Sequence, residues 1–502
     1  MFNLSNETDY KLLSKTKNYY NFFILTILFL FIAIFTRLII LSLDNSNSYS
    51  SNIRDSSLNA LPTIYDYNKN TLAYSDYNYS VKNIKNKVKY LKRNVPLNNI
   101  LELIYKGDPY IKYEKILTRK YPYSTIINNM IGHTNIDHQG VSLIEKFIDK
   151  NNNDVDLSLD IRVQKKIYES LYNDTKNLNP DYAMNVLVDL SSEEIVSNVF
   201  LDNREVNRFD QTLLPLKDLK FDFGSVFKTF TVYSALKNQK IDLNEYFDVD
   251  QPVYIGNKLI NDFPRNSKIP MQVADILKKS SNRGAILIRR NLDCQNEFKF
   301  DLDQIGLLKS TKIGFGMKSV EPTINNFRGS YCDNIPFGYG LSISPIQLIN
   351  AYGKIITGRE NFEASFEKQE KQKKNRYNKI SNTINNLLFY ANETNNDLYK
   401  NFLVAGKTGT ADQTISNNEK FQNVTYISFF PYNNPKYLNF TFMQNPKEKY
   451  GKFMTAGNTV KPTFYNLLKE IYMYLDLSII NTKSTDICLL YTSDAADEAS
   501  SV

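Results

Sequence analysis

From Asn18 to Thr36 the chain carries no charge for 19 residues, and most of them are Phe, Ile or Leu. Arg37 interrupts the run and Leu38 to Leu43 continues it. About 20 such residues cross a bilayer as a helix. Arg37 lies near the far end, where its long side chain can reach the interface. A buried helix of a soluble domain rarely uses so long a bulky apolar run. The run also exceeds a signal-peptide core, and no Ala-x-Ala-like cleavage site follows it. Lys11, Lys15 and Lys17 precede it, and only Arg54 lies close behind. That bias puts the N-terminus in the cytoplasm and residues 44 onward outside.

At 502 residues the chain has room for two or three domains. The net charge of +8 is spread along it, and its one dense run, Lys368 to Lys379, reads as a solvated surface. No basic stripe with interleaved aromatics points to nucleic acid. Cys294, Cys332 and Cys488 have neither metal-site nor disulfide-framework spacing. His133 and His138 are the only histidines, and a histidine-based triad or metal site is not expected.

The candidate chemistry begins at Gly224-Ser225-Val-Phe-Lys228. A helix is expected from about Ser225, and residues i and i+3 on a helix are neighbours. Lys228 can then reach the Ser225 hydroxyl. A serine needs an adjacent base to become a nucleophile. Burial among Phe223, Phe227 and Phe230 would favour the neutral amine that could act as that base. Ser-x-x-Lys is common, and here it occurs at Ser14, Ser225, Ser234 and Ser365. Ser225 is followed, with the order and spacing such chemistry needs, by Ser280-Ser281-Asn282 and then by a Lys407-Thr408-Gly409-Thr410 that does not recur. This ordered trio belongs to serine enzymes that acylate on β-lactams. A phosphate-binding loop at Gly406-Lys407-Thr408 is excluded, because its first glycine position is Asn401.

Two strands are expected at Met184–Asp189 and Glu194–Phe200. Three more are expected at Phe402–Ala405, running into Gly406-Lys407-Thr408-Gly409, at Tyr426–Phe430 and at Tyr437–Gln444. Helices are expected at Met271–Lys279, from Pro345 to Tyr352 and at Pro462–Leu475, with a charged loop over residues 359–380. The fold class is α+β, a five-stranded sheet flanked by helices. Cys488 to Val502 is rich in Ala, Ser and Asp and holds no Asn or Lys; it reads as translated adapter sequence outside the fold.

With these residues in place, the chain resembles the class B penicillin-binding proteins, most closely the division-specific, FtsI-type peptidoglycan D,D-transpeptidases. The likeness runs from the apolar run to about residue 475. It is carried by Gly132-x-Thr-Asn-x-Asp-x-Gln-Gly140, Leu157-x-Leu-Asp160, Gly224-Ser-x-x-Lys228, Ser280-Ser-Asn282, Gly338-Tyr-Gly-Leu-Ser342 with Pro345 and Gln347, and Ala405-Gly-Lys-Thr-Gly-Thr410. The chain departs from the family after the apolar run, where Leu61 to Asn70 keeps only Asp66 of an Arg-Gly-x-x-x-Asp-Arg-x-Gly element. Asp222-Phe223 also replaces the usual Glu-Pro before Gly-Ser.

The resemblance implies a cytoplasmic tail (1–17), a single transmembrane helix (18–43), an elongated membrane-proximal pedestal or dimerisation domain (44–180), and a transpeptidase domain with an antiparallel sheet (181–476), then a tail (477–502). It implies Ser225 as nucleophile, Lys228 as base, and Ser280 and Asn282 as proton relay and substrate orienter. Lys407 and Thr408 would hold the substrate carboxylate, Gly409 would let the strand approach substrate, and the backbone N–H groups of Ser225 and Thr410 would form the oxyanion hole. The expected partners are peptidoglycan stem peptides (lipid-linked precursor and nascent glycan), the membrane, β-lactam inhibitors, a membrane glycosyltransferase and other division proteins. No cofactor or metal is expected. The expected location is the bacterial cytoplasmic membrane, with the catalytic domain outside. Competing readings are a membrane-anchored β-lactam sensor or division scaffold without catalysis, and a β-lactamase or D,D-carboxypeptidase. Against a class A β-lactamase, no glutamate between Asn282 and Lys407 is followed by x-x-Leu-Asn.

Overall fold

The computed structural model describes residues 7–43 and 60–475, apart from 86–88, 205–211, 263–269, 325–326, 370–375, 393–399, 415–419 and 448–453. Cys488 and the expected C-terminal tail lie outside the described residues.

Helix α1 runs without a break over Glu7–Leu43. Its segment Tyr19–Ile39 is long and apolar enough to cross a membrane. Phe22, Phe29 and Phe31 are all more than two-thirds exposed on its surface, as a lipid-facing helix requires. Among the described residues it is the one helix that meets this description.

From Leu61 onward the chain forms a second unit. It begins with a small sheet in which β1 (Thr71–Asn83) pairs antiparallel with β2 (Lys89–Val95) and with β3 (Ile111–Lys120). Asp66, the one residue kept from the missing family element, is fully buried. Its carboxylate accepts the N–H groups of Asn68, Asn70 and Ile161, so it closes a turn and reaches the start of helix α2 (Ile161–Leu178). The turn-rich Gly132–Gly140 segment leads to Glu145, whose carboxylate pairs with Arg119 at 2.9 Å with both side chains buried.

The central sheet has five antiparallel strands: β4 (Tyr182–Asp189), β5 (Glu194–Asp202), β6 (Ala405–Thr414), β7 (Lys420–Phe430) and β8 (Tyr437–Gln444). Their order is β6-β7-β8-β4-β5, which places the Lys-Thr-Gly strand at an edge. Alternate residues point to opposite faces of a strand, and each face has its own core. Met184, Val186, Val188, Leu438, Phe440 and Phe442 pack against the helices that carry Ser225. Ala183, Leu187, Tyr426 and Met443 pack against α2 and the Val460–Ile471 helix. Each fully buried Phe contributes about 1.5–3 kcal/mol to this core. Because α2 lies on the sheet, residues before 180 supply part of its cover.

Three sequence expectations need correction. The strand expected from Phe402 starts at Ala405, because Leu403 has a left-handed φ of 50° that breaks extended pairing. The described part of the charged segment is not a free loop: Phe362, Ala364 and Phe366 are buried, with Ser365 and Glu367 bridging to Glu194 and Leu157. Its alternating apolar residues are interrupted by charges, which conceals the pattern. Cys294 and Cys332, whose spacing shows no disulfide framework, form a disulfide across 38 residues with Cα atoms 6.4 Å apart. Pairing at that span depends on tertiary proximity, which sequence spacing does not reveal.

Candidate active site

The Gly224–Phe227 segment forms a tight 3-10 turn, and helix α3 (Lys228–Lys237) continues from it. Tyr352 anchors this junction from below, donating its hydroxyl to the Val226 carbonyl and contacting Thr229 Oγ1, each at 2.8 Å. The turn therefore lifts Ser225 while Lys228 stays fully buried. Phe223, Phe227 and Phe230 are buried as well, Phe223 against Phe440 and Phe442 of the sheet and Phe230 against Phe227 and Tyr352.

Lys228 Nζ lies 2.7 Å from Ser225 Oγ, 2.7 Å from the Ser280 carbonyl, 3.1 Å from Ser280 Oγ and 2.8 Å from Asn282 Oδ1. The Asn282 amide is oriented by its Nδ2, which donates to the Asn261 carbonyl at 3.2 Å. Burial, then the charge of Lys407, push the Lys228 amine well below the ordinary lysine range, and Asp262 pulls the other way. A neutral amine has two N–H bonds and one lone pair. The Ser280 carbonyl and Asn282 Oδ1 can only accept, so they take both N–H bonds. The lone pair is left for a hydroxyl, and the Ser225 hydroxyl is the nearer of the two.

Ser280 sits just before helix α4 (Asn282–Arg290) with φ +55°, a strained conformation for a residue with a Cβ. Its Oγ lies 3.1 Å from Lys407 Nζ as well as from Lys228, so the two lysines meet through one hydroxyl. Lys407 is 4% exposed. Burial, with the charge of Lys461 behind it, brings its amine down to about 7. Lys461 is itself lowered by burial to about 8. Thr408 and Thr410 are partly exposed on the edge strand. A Cβ at Gly409 would lie 2.2 Å from the Phe223 carbonyl. That glycine thus admits the backbone of the serine turn, a neighbour the sequence reading did not name.

The structure brings Ser225, Lys228, Ser280, Asn282 and Lys407 into one hydrogen-bonded cluster beside β6. It also separates the other described Ser-x-x-Lys pairs from this chemistry. Ser234 Oγ and Lys237 Nζ both bond the buried Asp301. Ser365 Oγ accepts the Glu367 N–H, while Lys368 reaches the Tyr67 carbonyl. Asp262, absent from every sequence motif, contacts three residues of the Ser280–Arg283 segment. Nothing in its local sequence marks it, because the contact spans 20 residues.

The family model described as penicillin binding protein transpeptidase domain matches residues 183–469. A protein named peptidoglycan D,D-transpeptidase FtsI, from Buchnera aphidicola subsp. Baizongia pistaciae, is 26% identical over 70% of this chain and 69% of its own length. Its namesake from Buchnera aphidicola subsp. Schizaphis graminum is 26% identical over 88% of this chain and 83% of its own. The crystal structure of a peptidoglycan synthetase from Bifidobacterium adolescentis superposes with a TM-score of 0.67 at 16% identity, covering 85% of this chain and 97% of that one.

Proposed function

The chain belongs to the penicillin-binding protein transpeptidase family, and from that footing we propose that it is a membrane-anchored peptidoglycan D,D-transpeptidase that cross-links stem peptides during cell division. The observation that carries the reading is the buried Lys228 amine, 2.7 Å from Ser225 Oγ and already bonded to Asn282. Ser225 attacks the penultimate D-Ala carbonyl of a stem peptide as Lys228 takes its proton. The peptide C–N bond breaks, and the departing D-Ala amine receives a proton through Ser280, which touches both lysines. An amine from a neighbouring stem then attacks the acyl-serine. Its proton returns through the same path to Ser225, and a new amide forms. Dividing one difficult step into two is the advantage of a covalent intermediate. Lys407, with Thr408, binds the terminal carboxylate, a charge-assisted contact. The backbone N–H groups of Ser225 and Thr410 hold the oxyanion. Each such donor is worth about 10²–10³ in rate.

In this reading residues 1–17 are cytoplasmic, residues 18–43 of α1 are the anchor, residues 44–180 form the pedestal and 181–476 the transpeptidase domain on the outer side. The excess of lysines before the apolar run supports that orientation. The substrates are lipid-linked precursor and nascent glycan strands, with a membrane glycosyltransferase and other division proteins as partners. Penicillin, a strained amide shaped like D-Ala-D-Ala, tests the mechanism. Mass spectrometry of the detergent-solubilised chain should find one penicilloyl adduct, on the peptide holding Ser225, and Ser225→Ala should abolish it. An adduct on Ser234 or Ser365 would overturn the assignment.

A further inference from the structure

Ser280 is the strained point of the site, and its C-terminal neighbours hold it there. A non-glycine residue at φ +55° persists only where its surroundings fix it. Residues 281, 282 and 283 all bond one carboxylate. Ser281 Oγ donates to Asp262 Oδ2 at 2.5 Å, and the N–H groups of Asn282 and Arg283 donate to Asp262 Oδ1 at 2.6 and 3.0 Å. These are charge-assisted bonds at the N-terminus of α4, where the helix dipole favours a negative charge. The neighbouring Asn261 carbonyl holds the Asn282 amide, which turns Asn282 Oδ1 toward Lys228. Arg283 clasps the same segment in return, donating to the carbonyls of Ile260 at 2.8 Å and Val249 at 3.0 Å.

We infer that Asp262 is a positioning residue for acylation: its carboxylate clamps the Ser280–Arg283 turn so that Ser280 Oγ and Asn282 Oδ1 stay on Lys228. The inference rests on the acyl-serine mechanism proposed for this site. It separates two effects. One is geometric, through the three donors. The other is electrostatic, because the groups that act on Lys228 are Lys407 from β6, with Lys461 behind it, and Asp262, held against the Ser280–Arg283 turn. Lys407 favours the neutral amine and Asp262 the charged one. Acylation needs the neutral amine, so its rate rises with pH through the Lys228 titration. Removing only the charge of Asp262 leaves the cation less favoured and moves that rise to lower pH.

Asp262→Asn removes the charge and keeps the contacts. Its Oδ1 still accepts from Asn282 and Arg283, and its Nδ2 donates to Ser281 Oγ. Asp262→Ala removes both. The experiment measures the second-order rate constant for fluorescent penicillin on the full chain in detergent, across a pH series, beside the melting temperature. Asp262→Asn should melt between the parent and Asp262→Ala, while its acylation midpoint moves to lower pH. Asp262→Ala should lose about tenfold or more in acylation, as expected when buried donors lose their acceptor, with the adduct still on Ser225. An Asn variant whose pH profile superimposes on the parent's would overturn the inference, whether or not the Ala variant folds. So would an Ala variant that melts earlier but acylates like the parent, since that is a helix cap alone. A parent chain that takes no penicillin on Ser225 would instead overturn the proposed function, and this inference with it.

Discussion

The backbone of Gly338 rests on the backbone of Gly224: a Cβ at Gly338 would lie 2.2 Å from the Gly224 carbonyl oxygen. Gly338 also has φ +90°, a region that side chains avoid. The residue before the nucleophile is thus braced by a loop more than a hundred residues away. Gly338→Ala should push that loop off the serine turn. The expected result is a loss of stability of about 1–3 kcal/mol, with penicillin acylation reduced further than stability explains. Calorimetry beside acylation kinetics checks this. Unchanged acylation would mean the brace does not set the serine's position.

The two active-site lysines should respond differently to arginine. Arg cannot give up its proton in a protein, so Lys228→Arg should remove the base and collapse acylation. Lys407→Arg keeps a cation for the substrate carboxylate and should retain more activity. Because burial and the charge of Lys461 bring Lys407 down to about 7, its charged form is lost as pH rises through that value. Binding of a stem-peptide carboxylate should therefore weaken above neutrality, seen as a rising KM with little change in kcat. Equal losses in both variants, or a flat KM, would contradict this division of roles.

Transpeptidase and β-lactamase share the acyl-serine and differ in how fast water removes it. Among the described residues, the hydrogen bonds of Ser225 and Lys228 reach hydroxyls, a carbonyl and an amide, and no carboxylate. A carboxylate beside the acyl-serine is what a class A β-lactamase uses to activate that water. The penicilloyl chain should therefore be long-lived. Nitrocefin in excess should give one burst of colour, equal to the enzyme, that then stops. Sustained colour would favour the lactamase reading.

The Cys294–Cys332 disulfide ties the end of the α4 region to the loop that leads to Gly338. Closing a loop of this length stabilises by about 2–4 kcal/mol, mainly by restricting the unfolded chain. A thiol reductant, or Cys294→Ser with Cys332→Ser, should lower the melting temperature by several degrees. Intact mass with and without alkylation verifies the bond. One alkylated thiol in the unreduced protein, that of Cys488, is expected; three would show that the bond does not form.

Much of this protein is legible in its sequence because the signals are local. The apolar run before Arg37 is long and apolar enough to cross a membrane as a helix. Ser225 and Lys228 are three residues apart, so one helical turn suffices to join them. The strands of the sheet are short apolar runs bounded by turn residues, clear enough to be counted, five in all, two early and three late. Contacts between distant segments were not legible. No spacing rule pairs Cys294 with Cys332, and the charges within residues 359–369 conceal a buried Phe362, Ala364 and Phe366. Asp262 stands outside every motif, yet it takes three donors from the Ser280 turn. The depressed amines of Lys228 and Lys407 are likewise a product of packing. Sequence places two lysines on their elements, but only the folded chain removes their water and sets them on either side of one hydroxyl.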